Sequence, residues 1–450
     1  MPFSFFQAKH KRNNNVKRTQ YRRFGLHDFR HVLRRGYLIF PPFLGYQAGE
    51  NFLSGMSGFL LTGVGLPAMA LVMVAIVNGS DKLTAALPKP LATSFWVMVF
   101  IVIGPAFVIP RAITVAYQFS FAPMFGDAAL VPFTIAFCAI TILFALYPGK
   151  LVDNLGKILT PALMAILVIM SVTALAYPAG ELTTATGPYV SGAFAEGLTQ
   201  GYMTMDALGS IGFGWIIFRA IRSMGVDCPK ATAKYTLIAA LMYAVAMAFV
   251  YISLAYIGST SSYLGSEFSN GGDILTAFTF SHFGAFGSLL LGAVMVLACL
   301  TTAIGVTTAG SEFYDNTFSK VNYKGCVITT MVLAGLIANV GLEQLLAITL
   351  PAVVALHPVA IALMIMAPVR NKMSQIMVVA TAFTALTFGC VDALHILGYM
   401  PEAANQWLDS NMPLYHYFAS WIVPTIVMVI VGVVFTRKVN QQHTELANQA

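Results

Sequence analysis

The sequence predicts an all-α polytopic membrane protein, and three observations carry that prediction. Hydrophobic residues make up 58% of the 450 residues and charged residues only 10%, whereas soluble domains carry about 25% charged residues. The mean hydropathy is +0.76. Apolar runs of roughly 20 residues, long enough to cross a bilayer, recur along the whole chain. The length of the chain therefore indicates how many membrane spans it has, and not how many soluble domains.

Eleven apolar segments are predicted to span the membrane. They lie at about 52–78, 91–117, 128–148, 158–178, 197–218, 235–258, 286–311, 325–341, 345–367, 375–397 and 414–436. A twelfth candidate, 37–47, is short, because eleven residues at 1.5 Å each cover about half of a 30 Å hydrocarbon core. The predicted transmembrane domain is thus 37–437, and 438–450 form a second tail.

The excess of positive charge belongs to the first 36 residues. They hold ten Lys or Arg and one acid, Asp28, whereas the rest of the chain has 15 basic and 17 acidic residues. We expect residues 1–36 to be disordered and to lie at the cytoplasmic surface of the membrane. We expect no nucleic-acid partner for them.

The basic residues beyond the tail predict the orientation of the spans. Apart from Arg111, all of them fall in alternate loops. The opposite loops contain only acids, which are Glu50, Asp127, Glu181, Glu267, Asp273, Glu343, Glu402 and Asp409. Because cytoplasmic loops are enriched in Lys and Arg, both termini are expected in the cytoplasm.

Two helices carry breaks at corresponding places. Pro41-Pro42 and Gly45 are expected to interrupt the first, and the stretch Gly201–Gly209, with Gly212 and Gly214 after it, interrupts the sixth. Broken helices five spans apart indicate an inverted-repeat transporter whose unwound backbone binds substrate and ion. A packing kink is the alternative for either helix alone.

Polar side chains inside the spans are the candidate functional groups. Thr301-Thr302 is suited to a hard cation, or equally to bonding its own helix. Asp206 is expected to cap the second half of helix 6, with cation pairing as the alternative. Arg111 is a candidate gate or ion-pair partner.

Three further ionisable residues are expected to have structural roles and not to carry protons. Asp392 and His395 are spaced for one face of helix 11, where a polar helix end is favoured over a proton relay. His357 is expected to be a hydrogen-bonded residue of the bundle and not a proton carrier.

The remaining patterns argue against other classes. The five cysteines are scattered and form no CxxC, so neither a disulfide framework nor a metal site is expected. No nucleophile elbow, Walker loop or HExxH motif is present, so we expect no enzyme and no ATP-driven pump. A channel would need a repeated filter loop, which the sequence lacks.

Several ordered segments resemble the bacterial branched-chain amino acid:cation symporters. These segments are Leu38–Glu50, Phe59–Pro67, Ile109–Tyr117, Leu146–Leu151, Gly201–Leu208 and Ala298–Ala303. The resemblance runs from about Leu38 to about Arg437. It implies a LeuT-like fold of twelve helices with a five-plus-five inverted repeat. It also implies uptake of leucine, isoleucine and valine with Na⁺, or with H⁺, across the bacterial inner membrane. Another LeuT-like amino-acid or amine symporter is the alternative.

The resemblance also implies two groups of site residues. The substrate-binding candidates are Phe40, Tyr202, Met203, Thr204, Met205, Asp206 and Gly209. The cation-binding candidates are Ala298, Thr301 and Thr302, completed by carbonyl groups of helix 1. No further cofactor is implied.

The chain departs from the family pattern in two places. The family reads PRTATV with an acid after the next Tyr, whereas this chain has Ala112, Ile113 and Gln118. The family's first half-helix, roughly G-F-M-x-F-A-x-F-x-G-A-G-N, is replaced here by the charged stretch Gly25–Tyr37.

A shift of reading frame is our hypothesis for the second departure. One choice of codons for Leu26–Tyr37, read one nucleotide later and completed by one adenine, gives Phe-Met-Ile-Phe-Ala-Met-Phe-Phe-Gly-Ala-Gly-Asn, and the frame rejoins at Leu38. We therefore hypothesise that at least Leu26–Tyr37 is translated out of frame. The nucleotide sequence tests this directly, because codons that cannot yield the motif would exclude it.

Overall fold

The computed structural model describes residues 39–449 except 78, 148–149, 212–228 and 266. The basic tail, the stretch Leu26–Tyr37, and Gly212 and Gly214 lie outside the described residues. The described residues form twelve principal helices, numbered α1 to α12 here. This all-helical architecture confirms the fold class predicted from composition.

The first six helices include a short one and three that are interrupted. They are α1 (Phe40–Ala48), α2 (Phe52–Leu60, Leu61–Gly65 and Leu66–Ile76), α3 (Lys89–Ile101, Val102–Ala106 and Val108–Ser120), α4 (Leu130–Leu146), α5 (Lys150–Ala176) and α6 (Tyr189–Met203, resuming at 206–211). The middle segments of α2 and α3 are π-helical. In α3 the backbone is non-helical at Gly104, next to Pro105, which lacks an amide donor.

The last six helices include the longest ones. They are α7 (Pro229–Ser259), α8 (Gly271–Thr317), α9 (Tyr323–Ala338), α10 (Leu342–Met366), α11 (Gln375–Ile396) and α12 (Ile422–Gln449). A short helix, Glu402–Asn411, lies between α11 and α12.

Several predicted span boundaries were wrong. Helix α8 begins at Gly271, where the side chain of Asn270 accepts hydrogen bonds from two backbone amides of the first turn; non-helical Gly284, φ +66°, separates this start from the predicted span. Helix α12 begins at Ile422 and not at 414, because Leu414 and Phe418 adopt left-handed conformations that end a helical turn.

Pro41, Pro42 and Gly45, which were predicted to break the first helix, do not interrupt the part of it that the structure describes. Pro41 and Pro42 lie in the first turn of α1, where a missing amide donor removes no helical hydrogen bond. Gly45 lies inside the helix, and a Cβ added there would be 1.8 Å from the carbonyl oxygen of Ala255 on α7. Gly45 therefore permits close packing of two helices and does not interrupt α1.

The described residues contain six helical runs long and apolar enough to cross a membrane. They are Phe40–Ile76, Lys89–Ser120, Thr232–Ser259, Gly271–Thr317, Leu342–Met366 and Gln375–Ile396. Four shorter apolar helices are Leu130–Leu146, Pro161–Ala176, Tyr323–Ala338 and Ile422–Arg437. At 1.5 Å per residue, 16 residues cover about 24 Å, so the shorter helices approach the thickness of the hydrocarbon core.

The helices pack in two main groups. In the first, α1 and α2 contact α7, and α2 contacts α6. In the second, α8 contacts α3 and α9, and α9 contacts α4. Helix α10 packs against α11, which contacts α12.

Glycines bring the backbones of the first group close together. A Cβ added to Gly258 on α7 would lie 1.8 Å from the carbonyl oxygen of Pro42. A Cβ added to Gly197 on α6 would lie 1.9 Å from the carbonyl oxygen of Gly55 on α2. Small residues at helix contacts are the usual means of close packing in membranes.

Substituting Gly258 with alanine is expected to destabilise the protein by about 1–3 kcal/mol, because the new methyl group meets backbone that cannot move independently. Thermal unfolding in detergent measures the effect. Gly305→Ala on α8 is the matched control, since no atom lies within 4 Å of its added Cβ. Equal melting temperatures for the two variants would contradict the packing argument.

Candidate substrate and cation sites

The break in α6 is narrower than the sequence predicted. The helix ends at Met203, and helical structure resumes at 206–211. Met205 is fully buried and has φ +55°, a left-handed conformation that costs a non-glycine residue about 1–2 kcal/mol. Gly209 lies in regular helix, since its amide donates to the carbonyl of Met205. Strain of this kind persists where the surrounding packing imposes it, often at functional sites.

Thr204 organises the turn between the two halves of α6. Its hydroxyl donates a hydrogen bond of 2.8 Å to the carbonyl oxygen of Gly201. The same hydroxyl accepts from the amide of Asp206 at 3.4 Å. Thr204 therefore caps the second half-helix by accepting the hydrogen bond of its first amide. The sequence had favoured Asp206 as the capping residue.

The carboxylate of Asp206 contacts another helix. Asp206 is 1% exposed, and its Oδ2 accepts a hydrogen bond of 3.2 Å from the hydroxyl of Tyr251 on α7. Tyr251 also packs edge-on against Phe59 of α2. Asp206 thereby connects the break to the helices that pack around it.

Arg111 brings three of the predicted elements together. It is 1% exposed on α3, and its Nη1 donates a hydrogen bond of 2.6 Å to the carbonyl oxygen of Met203. Its guanidinium lies 5.2 Å from the centre of the Phe40 ring at the start of α1. The described contacts therefore place the predicted gating residue at the substrate-site candidates of α1 and α6.

Tyr202 contacts residues that the sequence analysis had not joined to the site. Its ring centre lies 5.6 Å from that of His357 on α10. The indole of buried Trp421, next to the start of α12, lies beside the side chain of Tyr202. No periodicity or motif marked Trp421, because its place beside Tyr202 depends on how the segment before α12 packs against α6.

The three cation-site candidates lie on one buried turn of α8. The hydroxyl oxygens of Thr301 and Thr302 are 2.9 and 3.0 Å from the carbonyl oxygen of Ala298, to which both hydroxyls donate. Three oxygens thus lie together on the helix surface. Rotation of the hydroxyl protons would turn lone pairs toward a cation, and oxygen atoms are the ligands that hard cations prefer.

Asp392 and His395 have separate surroundings. Asp392 is fully buried, and its Oδ2 accepts a hydrogen bond of 3.1 Å from the amide of Ser420. The ring of His395 stacks on Tyr415, with 4.6 Å between the ring centres. The described contacts therefore give no support to a direct relay between the two. Asp392 lies in the last turns of α11, which ends at Ile396, and its side chain is buried there.

Gln118 also has a defined partner. Its Nε2 donates a hydrogen bond of 2.6 Å to Asp273 Oδ1 and so joins α3 to the first turn of α8. An acid at this position, as the family pattern has, would place two carboxyl groups in contact.

The fold and its apolar spans define a multi-pass membrane protein with a LeuT-like fold. The transporter Mhp1 has this fold; its inward-facing structure aligns with a TM-score of 0.53 over 93% of this chain and 91% of the other, at 14% identity. A closed conformation of Mhp1, a nucleobase-cation-symport-1 family transporter, aligns equally well, with a TM-score of 0.53.

The chain belongs to the branched-chain amino acid transport protein family. The sequence model of this family matches residues 22–439. The system 2 carrier protein of Pseudomonas aeruginosa is 37% identical over 94% of this chain and 97% of its own length. The permease BrnQ of Escherichia coli K12 is 36% identical over 94% and 97%, and BraB of Bacillus subtilis is 35% identical over 89% and 92%. The protein is thus a transporter and not an enzyme.

The family match begins at residue 22. The resemblance had been predicted to begin only at about Leu38. Two compensating one-base changes preserve the number of residues, so a match that continues into the tail is compatible with the frame-shift hypothesis.

Proposed function

We propose that the protein imports leucine, isoleucine and valine together with Na⁺, with H⁺ as the alternative coupling ion, across the bacterial inner membrane. The observation that carries the proposal is the buried break of α6 in a chain that belongs to this transport family. At this break, Arg111 donates a hydrogen bond to the carbonyl oxygen of Met203. The basic loops support an orientation with both termini in the cytoplasm.

The break supplies both kinds of group that an amino acid requires. Amides at the start of the second half-helix, after Met205, attract the substrate carboxylate, and carbonyls at the end of the first half attract its ammonium group. Phe40, Met203 and Met205 offer apolar surface to the branched side chain. Such surface discriminates one methylene by only about 1–3 kcal/mol, so leucine, isoleucine and valine share the site.

The two packing groups support transport by alternating access. Backbone contacts at Gly258 and Gly197 hold the group of α1, α2, α6 and α7 together as one unit. Helices α3, α8 and α9 form the other group, and the substrate and cation candidates lie on helices of both. Movement of one unit against the other would expose the site to each side in turn.

Uptake of labelled leucine in a transport-deficient bacterial host tests the function. Competition by isoleucine and valine, without competition by aromatic amino acids, is expected. Competition by aromatic amino acids or amines instead would favour another LeuT-like symporter.

Thr301→Val is expected to raise the Na⁺ concentration for half-maximal uptake by about tenfold, because one ligand oxygen is replaced by a methyl group of similar size. Thr307→Val is the matched control, since the hydroxyl of Thr307 lies on the same helix and contacts the sulfur of Met331. An unchanged Na⁺ dependence in Thr301→Val would remove this residue from the cation site.

A further inference from the structure

Asp392 is a buried acid that the proposed transport mechanism does not use. It is 0% exposed on α11, in a run apolar enough to cross the membrane. Its Oδ2 accepts from the Ser420 amide, whereas Oδ1 is buried without a hydrogen-bond partner among the described residues. An ionised carboxylate has about four acceptor positions, and each one left empty in a buried site is costly.

The surroundings of Asp392 lead back to the substrate site. Ser420 precedes Trp421, whose indole lies beside the Tyr202 side chain at the end of the first half of α6. Asp392 itself is close enough to Tyr202 for its charge to act on the phenol. A change in the charge of the Asp392 carboxyl can therefore affect the break through a chain of contacts. This chain consists of the Ser420-Trp421 backbone and the side chains of Trp421 and Tyr202.

We propose that the Asp392 carboxyl binds and releases a proton, and that its ionised form holds the turn at Ser420-Trp421 against Tyr202 and so favours substrate binding. The inference rests on the proposed function only for the identity of that substrate. An ionised carboxylate accepts the Ser420 N–H more strongly than a neutral acid does, because charge-assisted hydrogen bonds are about twice as strong. Protonation thus weakens the contact that positions the turn.

A proton fits this group better than a metal ion does. A single carboxyl group offers few oxygen ligands, whereas hard cations take about six. Other titratable groups lie on the elements around Asp392, and their contributions must be separated. They are Tyr202 on α6, His357 on α10, Cys390 and His395 on α11, and Asp409, Tyr415 and His416 in the segment before α12.

Two of these groups lie outside the spans and have defined environments. Burial, together with the charges of Asp392 and Asp409, raises the pKa of Tyr415. His416 lies 3.8 Å from Asp409, and both are exposed. The variant His416→Gln therefore removes the exposed imidazole without changing the buried carboxyl group.

Infrared difference spectroscopy of the full chain in detergent, recorded between about pH 6 and about pH 8, tests proton binding without requiring transport. The wild type is expected to show a carboxylic-acid C=O band that changes with pH, that Asp392→Asn lacks and that Asp392→Glu retains at a shifted position. Asp273→Asn is the matched control, because both oxygens of Asp273 accept hydrogen bonds. An identical band in wild type and Asp392→Asn would overturn the proposal. If the Asn variant does not fold, a band at the wild-type position in Asp392→Glu would overturn it.

Leucine binding over the same pH range tests the link to the substrate site. Affinity in the wild type and in His416→Gln is expected to rise about fivefold toward higher pH, and to be independent of pH in Asp392→Asn. The same pH dependence in all three proteins, or a shift in Na⁺ affinity with no change in pH dependence, would overturn the link. Absence of leucine binding at any pH would contradict the proposed function instead, and would leave the infrared result to decide the proton site.

Discussion

Arg111→Met is expected to lower leucine uptake at least about 100-fold while the protein remains folded. The substitution keeps an unbranched side chain of similar length but removes the donor to the Met203 carbonyl oxygen and the cation above the Phe40 ring. Hydrogen bonds from charged groups contribute about 1.5–3 kcal/mol, and the carbonyl left behind adds a desolvation penalty of about 1–3 kcal/mol. Because these groups lie at the break, the loss acts on the geometry that binds substrate.

Two variants make the Arg111 experiment specific. Arg370→Met is the matched control, since Arg370 also donates to a backbone carbonyl, that of Lys82, but at an exposed position. Arg111→Lys preserves the charge without the planar fork of donors and is expected to recover only part of the activity. Uptake rates, with chromatographic retention as the measure of folding, distinguish the cases. Wild-type uptake by Arg111→Met would show that this residue has no part in the site.

Replacing Leu26–Tyr37 with Phe-Met-Ile-Phe-Ala-Met-Phe-Phe-Gly-Ala-Gly-Asn is expected to raise Na⁺-driven leucine uptake at least about tenfold over the chain as its sequence stands. Charged side chains at a bilayer centre cost about 2.5–3.5 kcal/mol each on insertion scales, and the stretch contains Asp28, Arg30, Arg34 and Arg35. The replacement also supplies the helix-1 backbone that the cation candidates on α8 require.

A second replacement separates insertion from ion binding. A stretch of the same length made of Leu and Ala restores hydrophobicity without the glycine-containing motif. It is expected to improve membrane insertion and to leave Na⁺-driven uptake low. Robust uptake by the unaltered chain in a transport-deficient host would contradict the prediction that this stretch impairs function.

The helical elements could be predicted because hydrophobicity is a local property of the chain. Every predicted span contains a helix in the described residues, and glycine and polar residues at 201–209 marked the broken helix. The order of the motifs indicated the family, which the comparisons confirmed. Predicted boundaries failed where a single backbone conformation decided them, as at Gly284 and Leu414, both of which have φ +66°.

The sequence by itself determined the class of protein, the positions of most of the described helices, the break in the sixth helix and the charged stretch upstream of Leu38, since composition and motif order carry these. Only the tertiary structure decided that Gly45 packs against Ala255 of α7, that Arg111 binds the Met203 carbonyl and that Asp392 is buried near Tyr202. Each of these depends on contacts between residues far apart in the chain. Such contacts follow from how the helices pack, because a side chain's partners are set by the close approach of backbones that its own segment does not encode.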